Sequence, residues 1–179
     1  MQEIFELDAS AFAPIANKLD KLSGQELHHA FRRGINRRGN KRRTAIIRAL
    51  VEQTGLPTTS VRKSIATRRA SYSALEYALT ATGAHINIAH FGGAQTEQGV
   101  SASPWGRSQT FKGAFIVSKL NGLAFKRESA SRFPIKQVFG PAIPVEIMKE
   151  PAINQWSDGF TEDLVDDVRH EIDFILFSR

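Results

Sequence analysis

Apolar residues recur with the period of a helix over the first third of the chain. Phe12, Ile15, Leu19 and Leu22 form one stripe behind Asp8, whose side chain can cap the segment. Ser23-Gly24-Gln25-Glu26 has the order of a capping box, in which the Ser hydroxyl takes the Glu26 amide and the Glu carboxylate returns to the Ser amide. The helix it opens carries Leu27, Phe31 and Ile35 on one face, then Ala45, Ile46, Ala49 and Leu50 farther on. Between these, residues 37–43 lack an apolar stripe. Gly34 and Gly39 each cost about 1 kcal/mol in a helix interior. The pattern predicts a long helix, open to solvent or to a partner in its middle and prone to interruption there. Gly55 suits the position just past its end, Pro57 blocks resumption, and Thr58, Thr59 and Ser60 can cap a short helix ending at Ile65.

The period then changes. Residues 74–79 and 85–91 partly alternate on either side of Thr82-Gly83, which predicts a hairpin. Residues 92–110, rich in Gly, Ser, Gln and Pro, predict a long mobile loop around a short strand at 99–103. Residues 113–118 and 123–127 flank Asn121-Gly122, the strongest short hairpin signal, because both residues tolerate positive φ. Phe133-Pro134-Ile135 and the run from Phe139 to Pro144 alternate apolar residues with prolines, which suits an edge strand or fixed turn entering a helix at Val145. A last helix begins near Asp158, with Leu164, Val165, Val168, Ile172, Ile175 and Leu176 on one face and acids opposite. Helices, then strands, then a helix predict an α+β fold: N-terminal helices, an antiparallel β-sheet with hairpins, and a C-terminal helix. A length of 179 residues suits one domain spanning 1–179. Its blocks are a helical 1–65, basic from 32, a β-rich 66–145 and an acidic 146–179.

Charge adds what periodicity does not. The formal net charge is +6, but residues 32–69 hold twelve basic side chains against Glu52 alone, and residues 146–179 hold three basic and nine acidic ones. Such segregation suits contact with an anionic partner, or with the acidic end of a neighbouring copy. No apolar run approaches the ~20 residues of a membrane span. The absence of cysteine excludes disulfides, thiolate catalysis and cysteine zinc sites. The acidic start lacks the order of a secretory signal, so synthesis in the cytoplasm is the expectation.

Signs of an enzyme are few. His28 and His29 point to different sides of a helix, and His85 and His90 to opposite faces of a strand. Neither a metal-binding histidine motif nor a nucleotide-binding glycine loop occurs, so no catalytic residue, metal or cofactor is expected. Asp163, Asp166, Asp167 and Glu171 read as a solvated or partner-facing surface rather than a cation site. The basic 45–65 segment admits a helix-turn-helix reading, with its turn at Thr54-Gly55-Leu56, Val61 packing back, and Arg62 and Lys63 on a second helix. Pro57 and three small hydroxyl residues leave that second helix short.

Another reading comes from several segments in order. Residues 38–49, opening Arg38-Gly39-Asn40-Lys41-Arg42-Arg43, are followed by Gln53-Thr54-Gly55, Val61-Arg62-Lys63 and Arg68-Arg69-Ala70. Then come residues 113–117, Asn121-Gly122 with Phe125-Lys126-Arg127, Phe133-Pro134-Ile135 and residues 139–144. In this order they resemble the minor tail protein Z family, tail-completion proteins of lambda-like long-tailed phages and prophages, over roughly residues 27–150. The resemblance implies a non-enzymatic structural protein of the virion, at the head-proximal end of the tail, acting in tail completion and head-tail joining. The implied partners are its own copies in a ring of six-fold type, tail terminator or tail tube proteins, and head-completion proteins. A subunit strongly basic over residues 32–69 and acidic over residues 146–179 suits a head-to-tail ring. The candidate interaction surface is Arg37, Arg38, Lys41, Arg42, Arg43, Arg62, Lys63, Arg68 and Arg69, which could also meet phosphates of the genome without sequence preference. Trp105, in the 92–110 segment, is a candidate aromatic anchor.

Overall fold

The structure is a computed structural model that describes residues 23–177. The helix expected over 8–22 lies outside the described residues. The class is α+β. Residues 23–177 divide into two compact units, neither continuous in sequence: one takes 23–45, 66–80 and 154–177, the other 46–65 and 81–153. They cut across the three blocks set out by composition.

Helix α1, Gly24–Thr54, runs uninterrupted through the basic stretch and supplies residues to both units. Its start is the expected capping box: the Ser23 amide donates to Glu26 Oε2 (2.9 Å) and the Glu26 amide to Ser23 Oγ (3.3 Å). In the first unit α1 packs on the last helix, α5 (Phe160–Phe177), over Ala30, Ile35, Leu164, Val168 and Ile172. Its two interior glycines are sites of close approach. A Cβ on Gly34 would lie 2.6 Å from Val168 Cγ2, and one on Gly39 2.4 Å from the Tyr77 ring. The Tyr77 hydroxyl donates to Asn40 (3.0 Å), and its ring lies 6.3 Å from that of Trp156 on α4, Asn154–Ser157. Strands β1 (Ile65–Arg68) and β2 (Ala78–Ala81) form a two-stranded sheet. Asn36 exchanges both amide hydrogen bonds with the Ala70 backbone (2.9 Å each).

The second unit holds the end of α1, the short α2 (Thr58–Lys63) and two three-stranded antiparallel sheets. The first is β3 (Ala94–Thr96), β4 (Gly99–Ala102) and β5 (Gln109–Lys112). The second is β6 (Ala114–Val117), β7 (Leu123–Arg127) and β8 (Ile135–Gln137), with β8, preceded by Pro134, at an edge. Asn121 and Gly122 both have positive φ in the β6–β7 turn. Helix α3, Ile143–Glu146, follows. Leu50, Val61, Ile88, Val100, Ala124 and Ile143 are among its fully enclosed side chains.

Two expectations are corrected. Residues 74–79 and 85–91 do not form a hairpin. Strand β2 pairs with β1, while the Ile86 and Ile88 amides donate to Pro141 and Val138 carbonyls, and Asn87 exchanges hydrogen bonds with Ala124 of β7 (2.9 Å each). Short alternation marks a strand-like segment but says nothing about its partner. Residues 92–110 are a meander rather than a long loop. Its polar residues close the turns: Gln95 Nε2 and Thr96 Oγ1 donate to the Gly99 carbonyl at 3.0 and 2.9 Å. Gly99 itself lies so near β5 that a Cβ would meet the Phe111 carbonyl oxygen at 2.1 Å.

Candidate functional site

The basic face of α1 follows from helical spacing. Arg33, Arg37 and Lys41 recur every four residues, and Arg38 and Arg42 form a second row beside them. Asp163, Asp167 and Glu171 recur likewise on α5. The two sets meet antiparallel. Arg33 Nε and Arg37 Nη1 lie 2.8 and 3.3 Å from Glu171. Arg38 Nε and Lys41 Nζ lie 2.7 and 3.0 Å from Asp167, with Arg37 Nε at 3.7 Å. Arg38 and Arg42 reach Asp163 at 2.6 and 2.7 Å. Arg42 also donates to the Gln155 and Asp158 carbonyls in the approach to α5.

Burial sorts these groups. The Asp167 and Glu171 side chains are only 8% and 7% exposed, and those of Arg38 and Arg42 12% and 14%. Two cations neutralise Glu171 and three Asp167, although Glu171 Oε2 is met by charge without a hydrogen bond of good geometry, and a one-residue slip of α5 would strand at least one charge. The ladder thus fixes the pairing of the helices more than it adds net stability, since desolvation offsets much of the attraction.

The remaining candidates do not form one surface with this ladder. Arg43 is half-buried, and its charge and that of Arg69 act on Tyr77, whose hydroxyl is nonetheless pushed above the usual phenol range by burial. Arg68 pairs with Glu76, and Arg69 donates to Asn40 at 3.4 Å. Arg62 and Lys63 are exposed and form no ion pair among the described residues. They sit on a helix of six residues, about 9 Å long at 1.5 Å per residue. Gly55 (φ +74°) and buried Val61 give the local helix-turn-helix form, but so short a second helix offers little to lay along a groove.

Trp105 lies in a single 3-10 turn, Pro104–Gly106, with a left-handed backbone (φ 55°). The residue is 42% exposed and lines a groove of about 620 Å³ with Glu52, Gln53, Pro104, Arg107 and Gln109. Its indole N–H donates to Glu146 Oε1 at 3.2 Å. Gln53 Nε2 and Lys149 Nζ donate to the same carboxylate at 2.7 and 2.8 Å. Burial raises the Glu146 carboxyl, but the hydrogen bonds from Lys149, Gln53 and Trp105 outweigh it and hold it below the ordinary carboxylate range.

Sequence reasoning missed Glu146, Asn36 and Asn87. Nothing marks a single polar residue as buried until its surroundings are known. The pairing of α1 with α5 did leave a trace, the matching four-residue spacing of bases and acids. Among the described residues no three His, Cys, Asp or Glu side chains come together as a metal site, and no helix is long and apolar enough to cross a membrane. Comparison with family models, curated proteins and solved structures gives no match.

Proposed function

We propose that the chain is a non-enzymatic structural protein of a long-tailed phage or prophage, a tail-completion protein acting at the head-proximal end of the tail in head-tail joining. The ordered resemblance over residues 27–150 supports this reading, and the distribution of exposed apolar side chains is the observation that carries it. Leu120, Phe133, Phe139, Val145 and Met148, half of the ten large apolar side chains exposed among the described residues, fall within residues 120–148, the others being Tyr72, Leu75, Trp105, Phe174 and Phe177. Phe133 and Phe139 flank the edge strand β8, and Val145 lies on α3. Exposed apolar residues concentrated beside an open sheet edge suit protein–protein contact.

The contact with neighbouring copies in a ring, and with tail terminator, tail tube or head-completion proteins, is accordingly assigned to this stretch. Asp163, Asp167 and Glu171 of the acidic helix do not supply it, because they are met by α1 of the same chain. In a phage or prophage whose genome carries this chain, interrupting the reading frame is expected to leave heads and tails unjoined. A plasmid copy restores infectious particles, and a copy with Phe133→Asp, Phe139→Asp and Met148→Asp folds but does not. Normal titres without the chain would overturn the proposal.

A further inference from the structure

The described residues of the first unit hold ten basic and nine acidic side chains, and those of the second eleven and five. The surplus cations therefore belong to the unit that carries the two three-stranded sheets, not to the densest basic stretch of sequence. There, among the described residues, only Lys136 with Glu128 and Lys149 with Glu146 form ion pairs.

The register sets Ala114, Lys126 and Lys136 in one row across β6, β7 and β8. Directly opposed residues share a face about 5 Å apart, where like charges destabilise a sheet. Lys126 Cε also lies 4.0 Å from where a Cβ on Gly113 would stand, which brings it beside the residue following Lys112. Phe115 and Phe125 occupy the next row and so belong to the opposite face, where the Arg127 guanidinium lies 5.3 Å over the Phe115 ring. The lysine row thus offers positive charge without a ring on which an unpaired base could stack. A polyanion of regular charge spacing relieves the Lys126–Lys136 repulsion and competes with Glu128 for Lys136.

We propose that Lys112, Lys126 and Lys136 form a face that binds the phosphodiester backbone of double-stranded nucleic acid without reading its sequence. The inference stands apart from the tail-assembly reading.

The test is fluorescence anisotropy of the full chain with labelled duplex DNA of two unrelated sequences. Both are expected to bind alike. Three phosphate contacts give a slope of log K against log salt near −2.7, roughly a 40-fold loss between about 50 and 200 mM salt. The variant Lys112→Gln/Lys126→Gln/Lys136→Gln is expected to lose at least tenfold at low salt and most of the slope. The variant Arg48→Gln/Arg107→Gln/Lys119→Gln, with the same change in charge at exposed positions of the same unit, keeps the slope. Duplex RNA of equal length tells which helix form is preferred, and preference for either supports the proposal. Equal weakening by the two variants, tighter binding to single strands, or binding to polyglutamate but to no duplex would overturn it. The last outcome would assign the face to an acidic protein surface.

Discussion

In the first unit, Arg33, Arg37, Arg38, Lys41 and Arg42 face carboxylates of matching spacing on α5. In the second, Lys126 faces Lys136 across adjacent strands, and of these two only Lys136 has an acidic partner among the described residues. The denser cluster is thus the more neutral one. Cations packed along a helix at a regular interval can be matched by one acidic helix. Cations scattered over several strands and turns have no single element to match them. Where charge is concentrated along a chain therefore differs from where it is available to a partner, and the largest measured effects should separate the two.

The strongest way to break the contrast is to empty the ladder. Asp167→Ala removes a buried carboxylate shared by Arg38, Lys41 and Arg37, and is expected to lower stability by about 3 kcal/mol in urea unfolding. Asp166→Ala, one residue away in an exposed pair with Arg169, should change it by less than about 0.5 kcal/mol. Equal effects would mean that the ladder is a surface feature.

Next come the glycines that let other groups approach α1. Gly34→Ala and Gly39→Ala each gain about 1 kcal/mol of helix propensity, yet overlap with Val168 or Tyr77 should leave each variant about 1–2 kcal/mol less stable. A stabilised variant would show that the helices separate without loss.

The second unit is probed through pH. Glu146 is held below its ordinary value, so its contribution is complete above about pH 4.3 and is lost as pH falls through the lower folded value. The stability gap between the native chain and Glu146→Gln is expected to be full above about pH 4.3 and to close as pH falls below it. With Trp156→Phe, the emission of Trp105 should shift over the same range as its hydrogen bond is lost. A gap independent of pH would remove Glu146 from the account. The smallest effect is expected from Arg62→Gln with Lys63→Gln, whose exposed side chains form no ion pair among the described residues, at less than about 0.5 kcal/mol.

Much of the architecture is legible in the sequence. The Ser23 capping box, the end of α1 at Gly55, the Asn121-Gly122 turn and the apolar stripe of α5 each rest on neighbours in sequence, so local chemistry suffices to place them. The mis-paired 74–91 segment and the meander at 92–110 show the limit, because both depend on partners distant in the chain. The candidate site was legible only as a list of cations. Spacing placed Arg37, Arg38, Lys41 and Arg42 on a helix but could not say that Asp163, Asp167 and Glu171 would lie against them.

The sequence by itself determined the helices, their caps, the turns with positive φ and the total charge, because each follows from backbone preferences or from counting. Tertiary structure alone decided which charges are neutralised, which glycines are close contacts and which strands pair. The ion pairs of α1 with α5 join groups more than a hundred residues apart, the other contacts join segments that are also not neighbours along a helix or turn, and no local preference encodes their meeting.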